Sequence, residues 1–344
     1  MTTQAPVERP RGRHAGLTFR QKLSNFDTKA SPFFYISPYF ILFALFGAFP
    51  LIFTIVVSVH QWHFLSGQGD FVGFDNYAWI LFGDGSESFY KAMFNTFSIF
   101  LLSSVPQILM AVIIAAVLDQ QLKAQTFWRM SVLLPYVVAP AAVAIIFGRV
   151  FSETTGPIAG IIKSLFPSPD DPTAPAFLID WDGGVLESHI AIATMVNFRW
   201  TGYNTLIILA AMQAIPRDVY ESAAIDGAGA IRRFWSITVP MIRPTMIFVI
   251  VTSTIGGLQI FTEPLMFSRL TTYGGDKQQF LTIVMYMWDV MMNRQNFGRA
   301  AAMAWVLFLI IVIISLLNFF ITRAIASADV RRGRGGVSLR KVGR

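Results

Sequence analysis

The chain has 344 residues, 54% hydrophobic and 14% charged, with a formal net charge of +7 and no cysteine. That balance is too apolar for a soluble domain, and the apolar residues come in runs rather than alternation, so the sequence describes a polytopic membrane protein. Disulfides, thiolate metal sites and a cysteine nucleophile are excluded. The positive charge does not point to nucleic acid, because it gathers in the tails and loops where membrane topology already calls for it.

A hydrocarbon core about 30 Å thick needs roughly 20 apolar residues per helix. Segments near 33–59, 92–118, 127–151, 188–213, 244–267 and 300–322 meet that need. The predicted fold class is all-α integral membrane, with six transmembrane helices. The segment 1–32 is basic (Arg9, Arg11, Arg13, Arg20, Lys22, Lys29). The first apolar run is too long for a signal-peptide core, has no small-x-small site after it, and is expected to remain as an anchor.

Residues 61–90 contain no Lys or Arg. By the positive-inside rule both termini, the 119–126 loop and the 214–240 loop (Arg217, Arg232, Arg233) are predicted cytoplasmic, and 61–90, 152–187 and 268–298 external. Pro167 to Pro175 reads as a Pro-rich external loop. Phe280 to Met292 is apolar but too short to span, and reads as an amphipathic or re-entrant helix on the outer face. The transmembrane domain is placed at 33–325. The basic tail 326–344 is read as a disordered cytoplasmic end that touches anionic lipid.

The loop between the fourth and fifth spans carries a second pattern. Pro216 can start a short helix, Asp218 and Glu221 fall in its first turns where the helix dipole favours acids, and Gly227 can end it in a left-handed conformation. Tyr220, Ala223 and Ala224 lie three to four residues apart and are expected to form one apolar docking face. On amphipathicity alone the loop is an interfacial helix with Trp235 as headgroup anchor. Its spacing, Glu221 and Ala223, then Gly227, then Ile237 to Pro240, resembles the "EAA" loop of permease subunits in binding-protein-dependent ABC importers. Ser222 departs from the usual alanine. The resemblance implies an ATPase-coupling role for Tyr220, Glu221, Ala223, Ala224, Asp226, Gly227 and Pro240.

The likeness runs from about residue 33 to 325 and leans to the carbohydrate-uptake branch, the maltose-type and multiple-sugar-type subunits. It is carried by Tyr35 to Pro38, Gly73 to Tyr77, Asn95 with Thr96, Leu134 to Tyr136, Trp200 to Asn204, and Phe297 to Ala301. Ser253 to Leu265 is more narrowly similar to permeases for cellobiose and β-glucoside oligosaccharides. The resemblance implies a permease in the bacterial plasma membrane, with a second permease, two ATP-binding subunits and an extracytoplasmic sugar-binding protein as partners. ATP and Mg would be held by the ATP-binding subunits. This chain has no Gly-rich phosphate loop ending in Lys-Ser/Thr, so no cofactor of its own is expected.

A neutral oligosaccharide needs hydrogen-bonding groups near midmembrane and aromatic faces to stack on. Asn197, Trp200, Tyr203 and Asn204 share one stripe of the fourth span. Ser253, Gly256, Gly257 and Gln259 make a polar, glycine-broken patch on the fifth, where the helix is expected to bend. These residues are the predicted substrate cavity; helix packing is the other reading. Arg199 cannot face lipid cheaply and is expected to pair with Glu263, with a partner carboxylate or an anionic substrate as the other readings.

Glycerol 3-phosphate and maltodextrins are the alternative cargoes. A membrane enzyme finds little support, because its densest acids (Asp170, Asp171, Asp180, Asp182) sit in a Pro-rich loop without histidine. A secondary transporter finds little either, because Glu263 is the single strong midspan carboxylate for a coupling ion.

Overall fold

The computed structural model describes residues 19–120, 122–152, 156–166, 179–181, 183–267 and 272–334. The predicted Pro167 to Pro175 loop, the acids Asp170, Asp171 and Asp182, and the tail beyond 334 lie outside the described residues. The chain divides into two compact units, Met1–Val56 and Val57–Arg344.

The described residues of the first unit form one helical run: α1 (Phe19–Phe43), a π-helical turn (Ala44–Ala48) and the start of α2 (Phe49–Ser58). From Phe33 on its side chains are mostly apolar and exposed, as Phe34, Tyr39 and Phe46 show. A helical stretch apolar all round, as this one is from Phe33 on, suits lipid or another helix as its surroundings, not water.

The second unit opens with an antiparallel hairpin, β1 (His60–His63) and β2 (Gly67–Phe71), so the chain is mostly but not wholly helical. Asn76 donates to the carbonyls of Ser58 and His60 at 2.9 and 3.0 Å and pins the hairpin to α3 (Asp75–Leu81). Then follow α4 (Ser86–Leu118), α5 (Gln125–Val137), α6 (Pro140–Val150), α7 (Pro157–Leu165) and α8 (Val185–Gln213). Next come α9 (Arg217–Ile225), α10 (Ala230–Arg233), a π turn Phe234–Thr238, α11 (Val239–Met241) and α12 (Arg243–Leu258). The chain closes with α13 (Thr262–Phe267), α14 (Ile283–Trp288), a π turn Asp289–Asn293 and α15 (Phe297–Arg334).

Among the described residues three helices are long and apolar enough to cross a membrane, Ser31–Ser58, Ser86–Leu118 and Phe297–Phe320, or up to five if each of two bent helix pairs is one span. The third and fifth predicted spans are not straight. Residues 127–151 were expected as one helix, but α5 and α6 meet at 90°. Pro140 forces the preceding Ala139 into extended backbone (φ −55°, ψ 134°), which ends one helix and starts the next. The predicted span 244–267 likewise stops at Leu258. Pro264 has no N–H to give the Ile260 carbonyl, and that carbonyl instead accepts from the Thr282 hydroxyl at 3.1 Å. The helix therefore breaks at Gln259 to Phe261, and the two glycines lie within α12.

The fourth predicted span, α8, is long enough to cross but carries polar residues on its buried faces, among them Ser188, His189, Arg199, Thr201, Asn204 and Thr205. It is wrapped by protein, with α4 as its main neighbour, so its side chains need not all be apolar. The 280–292 segment, expected as an amphipathic or re-entrant helix on the outer face, is packed among other helices, with Ile283, Met285 and Tyr286 at most 2% exposed. Irregular backbone survives at depth only where protein satisfies it. Here Asn95 donates to the carbonyls of Gln278 and Leu281 at 2.8 and 3.1 Å, and the Thr96 hydroxyl accepts from the Ile283 amide at 3.0 Å.

Candidate functional site

A cavity of about 550 Å³ opens between α4, α6, α8, α12 and α13. Its wall takes Trp200, Tyr203 and Asn204 from α8, and Ser253, Gly256, Gly257 and Gln259 from α12 and its end. The two glycines differ in their surroundings. A Cβ at Gly257 would meet the Phe100 ring at 2.7 Å, so that glycine permits close packing on α4. A Cβ at Gly256 would meet nothing within 4 Å, because that residue borders open space.

The Asn204 amide donates to the Ser253 hydroxyl at 3.2 Å and links the two polar patches. Tyr203 stacks on Tyr136 of α5 with ring centroids 4.8 Å apart, and Trp200 meets both rings edge-on. An aromatic corner beside hydroxyl and amide groups is a surface that can hold a polyhydroxylated ring by stacking and hydrogen bonding.

Asn197 is not on this wall. At 100° per residue it falls about a quarter turn from the Val196, Trp200 and Tyr203 stripe, and its side-chain oxygen is buried without a hydrogen-bond partner. Conversely, Ser104 and Gln107 of α4 do line the cavity and are 5% and 3% exposed. They sit about one turn apart on α4. Two polar residues at that spacing, expensive in lipid, are the signal that could have found them.

Arg199 and Glu263 are in direct contact through Nη1 and Oε1, and both border the cavity. They are 9% and 6% exposed. The Arg199 Nε is buried with no partner, and the guanidinium lies 5.9 Å from the Trp200 ring centroid.

The second candidate site is α9 at the far end of α8. Pro216 caps it, Asp218 lies in its first turn, and Gly227 follows it at φ +79°. Glu221, Ala224, Asp226 and Gly227 are exposed, and Ala223 is half-buried. Tyr220 corrects the expected docking face: it turns inward, and its hydroxyl bonds that of Thr238 at 2.8 Å. Its ring joins the cluster of Leu209, Met212 and Ile242, which ties α9 to its own domain. Pro240 is exposed, within α11.

A Tyr220→Phe substitution removes that hydroxyl and is expected to cost about 1 kcal/mol. Thermal unfolding of the purified protein should register a small downward shift with uptake largely kept.

Beneath α9 a cleft of about 460 Å³ is bordered by Asp119, Tyr220, Arg233 and Trp235. Burial there pushes the Asp119 carboxyl up from the usual range, against the pull of Arg129 and Arg217. The folded state therefore holds that proton more tightly than the unfolded one, and stability falls as pH rises through the carboxylate range.

A helical bundle enclosing a cavity lined by aromatic and some polar side chains, with a short exposed helix at one end, has the form of a membrane transport subunit. Residues 85–328 match the family described as binding-protein-dependent transport system inner membrane component, and the chain belongs to that family. It is thus an inner-membrane transport component and not an enzyme.

The chain is 29% identical over 302 residues to the arabinooligosaccharides transport system permease protein of Halalkalibacterium halodurans, covering 88% of this chain and 90% of the relative. It is 30% identical over 291 residues to the lactose transport system permease protein of Rhizobium radiobacter, covering 84% and 93%. It is 27% identical over 297 residues to the sn-glycerol-3-phosphate transport system permease protein of Rhizobium meliloti, covering 86% and 95%. Its fold matches a chain of a bacterial alginate ABC transporter crystallised with a periplasmic protein carrying an alginate pentasaccharide. The TM-score is 0.69 at 19% identity, over 88% of this chain and 97% of the other.

Proposed function

We propose that the chain is one permease half of an ATP-driven importer that carries a neutral di- or oligosaccharide, such as a β-glucoside, from an extracytoplasmic binding protein into the cytoplasm. The chain crosses the membrane six times with both ends inside; the bent α5–α6 pair, α8, and the α12 segment with its continuation each count as one crossing. The observation that carries the reading is the cavity. Its volume falls within the ~300–1,000 Å³ of small-molecule sites, and it offers an aromatic corner together with Gln107, Asn204, Ser253 and Gln259. The mutual neutralisation of Arg199 and Glu263 favours a neutral cargo.

One observation favours a second reading. The free Arg199 Nε could serve an anionic group, and a relative's name includes sn-glycerol 3-phosphate. Uptake into proteoliposomes, offered a neutral oligosaccharide or glycerol 3-phosphate, separates the two.

Energy enters through α9. ATP closing the paired ATPases would draw the docked helices together and turn the cavity outward, and hydrolysis would reset it. Gly227→Asp is expected to abolish uptake while the chain still inserts. The left-handed backbone there costs a side chain about 1–2 kcal/mol and puts a new charge beside Asp226. Affinity purification in mild detergent should recover a second permease and an ATP-binding subunit with the unsubstituted chain, and lose the ATPase with Gly227→Asp. Normal uptake by that variant would overturn the coupling role.

A further inference from the structure

The hairpin β1–β2 carries an apolar tip that neither the cavity nor α9 uses. Phe64 and Leu65 at its turn are 67% and 84% exposed, and Phe71, Phe74 and Phe82 that follow are at least 70% exposed. Large apolar side chains this open to water need a covering partner. The position of the tip says which one. His63 bridges Asn296, the Phe64 amide donates to the Gln295 carbonyl at 3.4 Å, and the Phe64 ring stacks on Phe297 at 5.8 Å. Phe297 is the first residue of the apolar stretch Phe297–Phe320.

The tip is therefore fixed at the level where a membrane-crossing helix leaves the hydrocarbon. Farther along α15, Phe308, Leu309 and Ile313 are likewise exposed apolar side chains. Amphipathic aromatic segments favour this layer, burying apolar side chains among headgroups and upper acyl chains. Residues 61–90 carry Asp70, Asp75, Asp84 and Glu87 and no Lys or Arg, so attraction to anionic headgroups does not drive the contact; apolar burial does.

We propose that the Phe64–Leu65 tip is a lipid anchor, inserted in the interfacial layer of the bilayer beside the first turn of α15. It would fix the depth and rotation of α15 at the end opposite α9. This rests on the membrane reading of the chain but not on its cargo.

The chain has no cysteine, so a nitroxide can be placed at Leu65→Cys with the unsubstituted protein as blank. Measured by electron paramagnetic resonance on the full assembly in lipid nanodiscs, the label should collide severalfold more with oxygen than with a water-soluble nickel chelate. The exposed Asp276→Cys should show the reverse ratio, and added extracytoplasmic binding protein should leave the Leu65 ratio unchanged. Phe64→Cys is the second position, should Leu65→Cys fail to assemble. Chelate access at the tip equal to that at position 276 would overturn the anchor. Loss of oxygen access on adding the binding protein would also overturn it and give the patch to a protein partner.

Discussion

Glu263→Gln is expected to cost about 3–5 kcal/mol and to leave little folded transporter in the membrane, because it strands a buried guanidinium. Arg199 is 9% exposed, its Nη1 touches Glu263, and its Nε already lacks a partner. The substitution removes its charged partner and leaves a neutral amide and the face of Trp200 beside the cation. Arg199→Gln should do comparable harm by leaving Glu263 charged and enclosed. The double variant Arg199→Gln/Glu263→Gln replaces two opposed charges by two amides able to bond each other, and should recover most of the loss.

The measurement is the amount and thermal stability of the purified assembly for the four proteins of the cycle, with uptake of a neutral oligosaccharide alongside. A coupling energy near zero would remove the pair from the structural account. Loss of uptake in a well-assembled double variant would instead make the charges functional and favour an anionic cargo.

Gly202→Ala is expected to break the α5–α8 contact although it adds one methyl group. A Cβ there would overlap the Val132 carbonyl oxygen and stand 2.8 Å from its carbon, and both are backbone atoms of α5 that cannot rotate away. Overpacking of this kind costs about 1–3 kcal/mol, and more where the wall is main chain. The next residue, Tyr203, stacks on Tyr136 of the same α5, so separating the helices opens the aromatic corner of the cavity. Uptake should fall at least as steeply as stability. Gly148→Ala in α6, where a Cβ meets nothing within 4 Å, is the control and should be neutral or slightly stabilising, since alanine favours helix by about 1 kcal/mol. An unaffected Gly202→Ala protein would mean that the two helices do not approach so closely.

Much of the site can be read from residue order. The helix at Arg217–Ile225, its proline start and its left-handed glycine follow from local rules, because capping and positive φ depend on neighbours a few residues away. Apolar runs mark the long spans for a similar reason: the bilayer acts on each segment separately. Even the breaks before Pro140 and Pro264 were present as proline positions, though the 90° bend between α5 and α6 was not.

What the sequence determined by itself is therefore local or imposed by the solvent: a membrane protein, its long apolar helices, the α9 element, and the aromatic and polar residues Trp200, Tyr203, Asn204, Ser253 and Gln259 that reach the cavity. The tertiary structure decided which of these face one another. It brought Gln107 and Ser104 of α4 to the cavity, turned Asn197 away and Tyr220 inward, and packed the 280–292 segment among other helices through Asn95 and Thr96. The physical reason is that a polar side chain in a span must leave the lipid but can satisfy itself against any neighbouring helix. Only the packing of α4, α8 and α12 settles which groups pair with protein and which are left for a ligand.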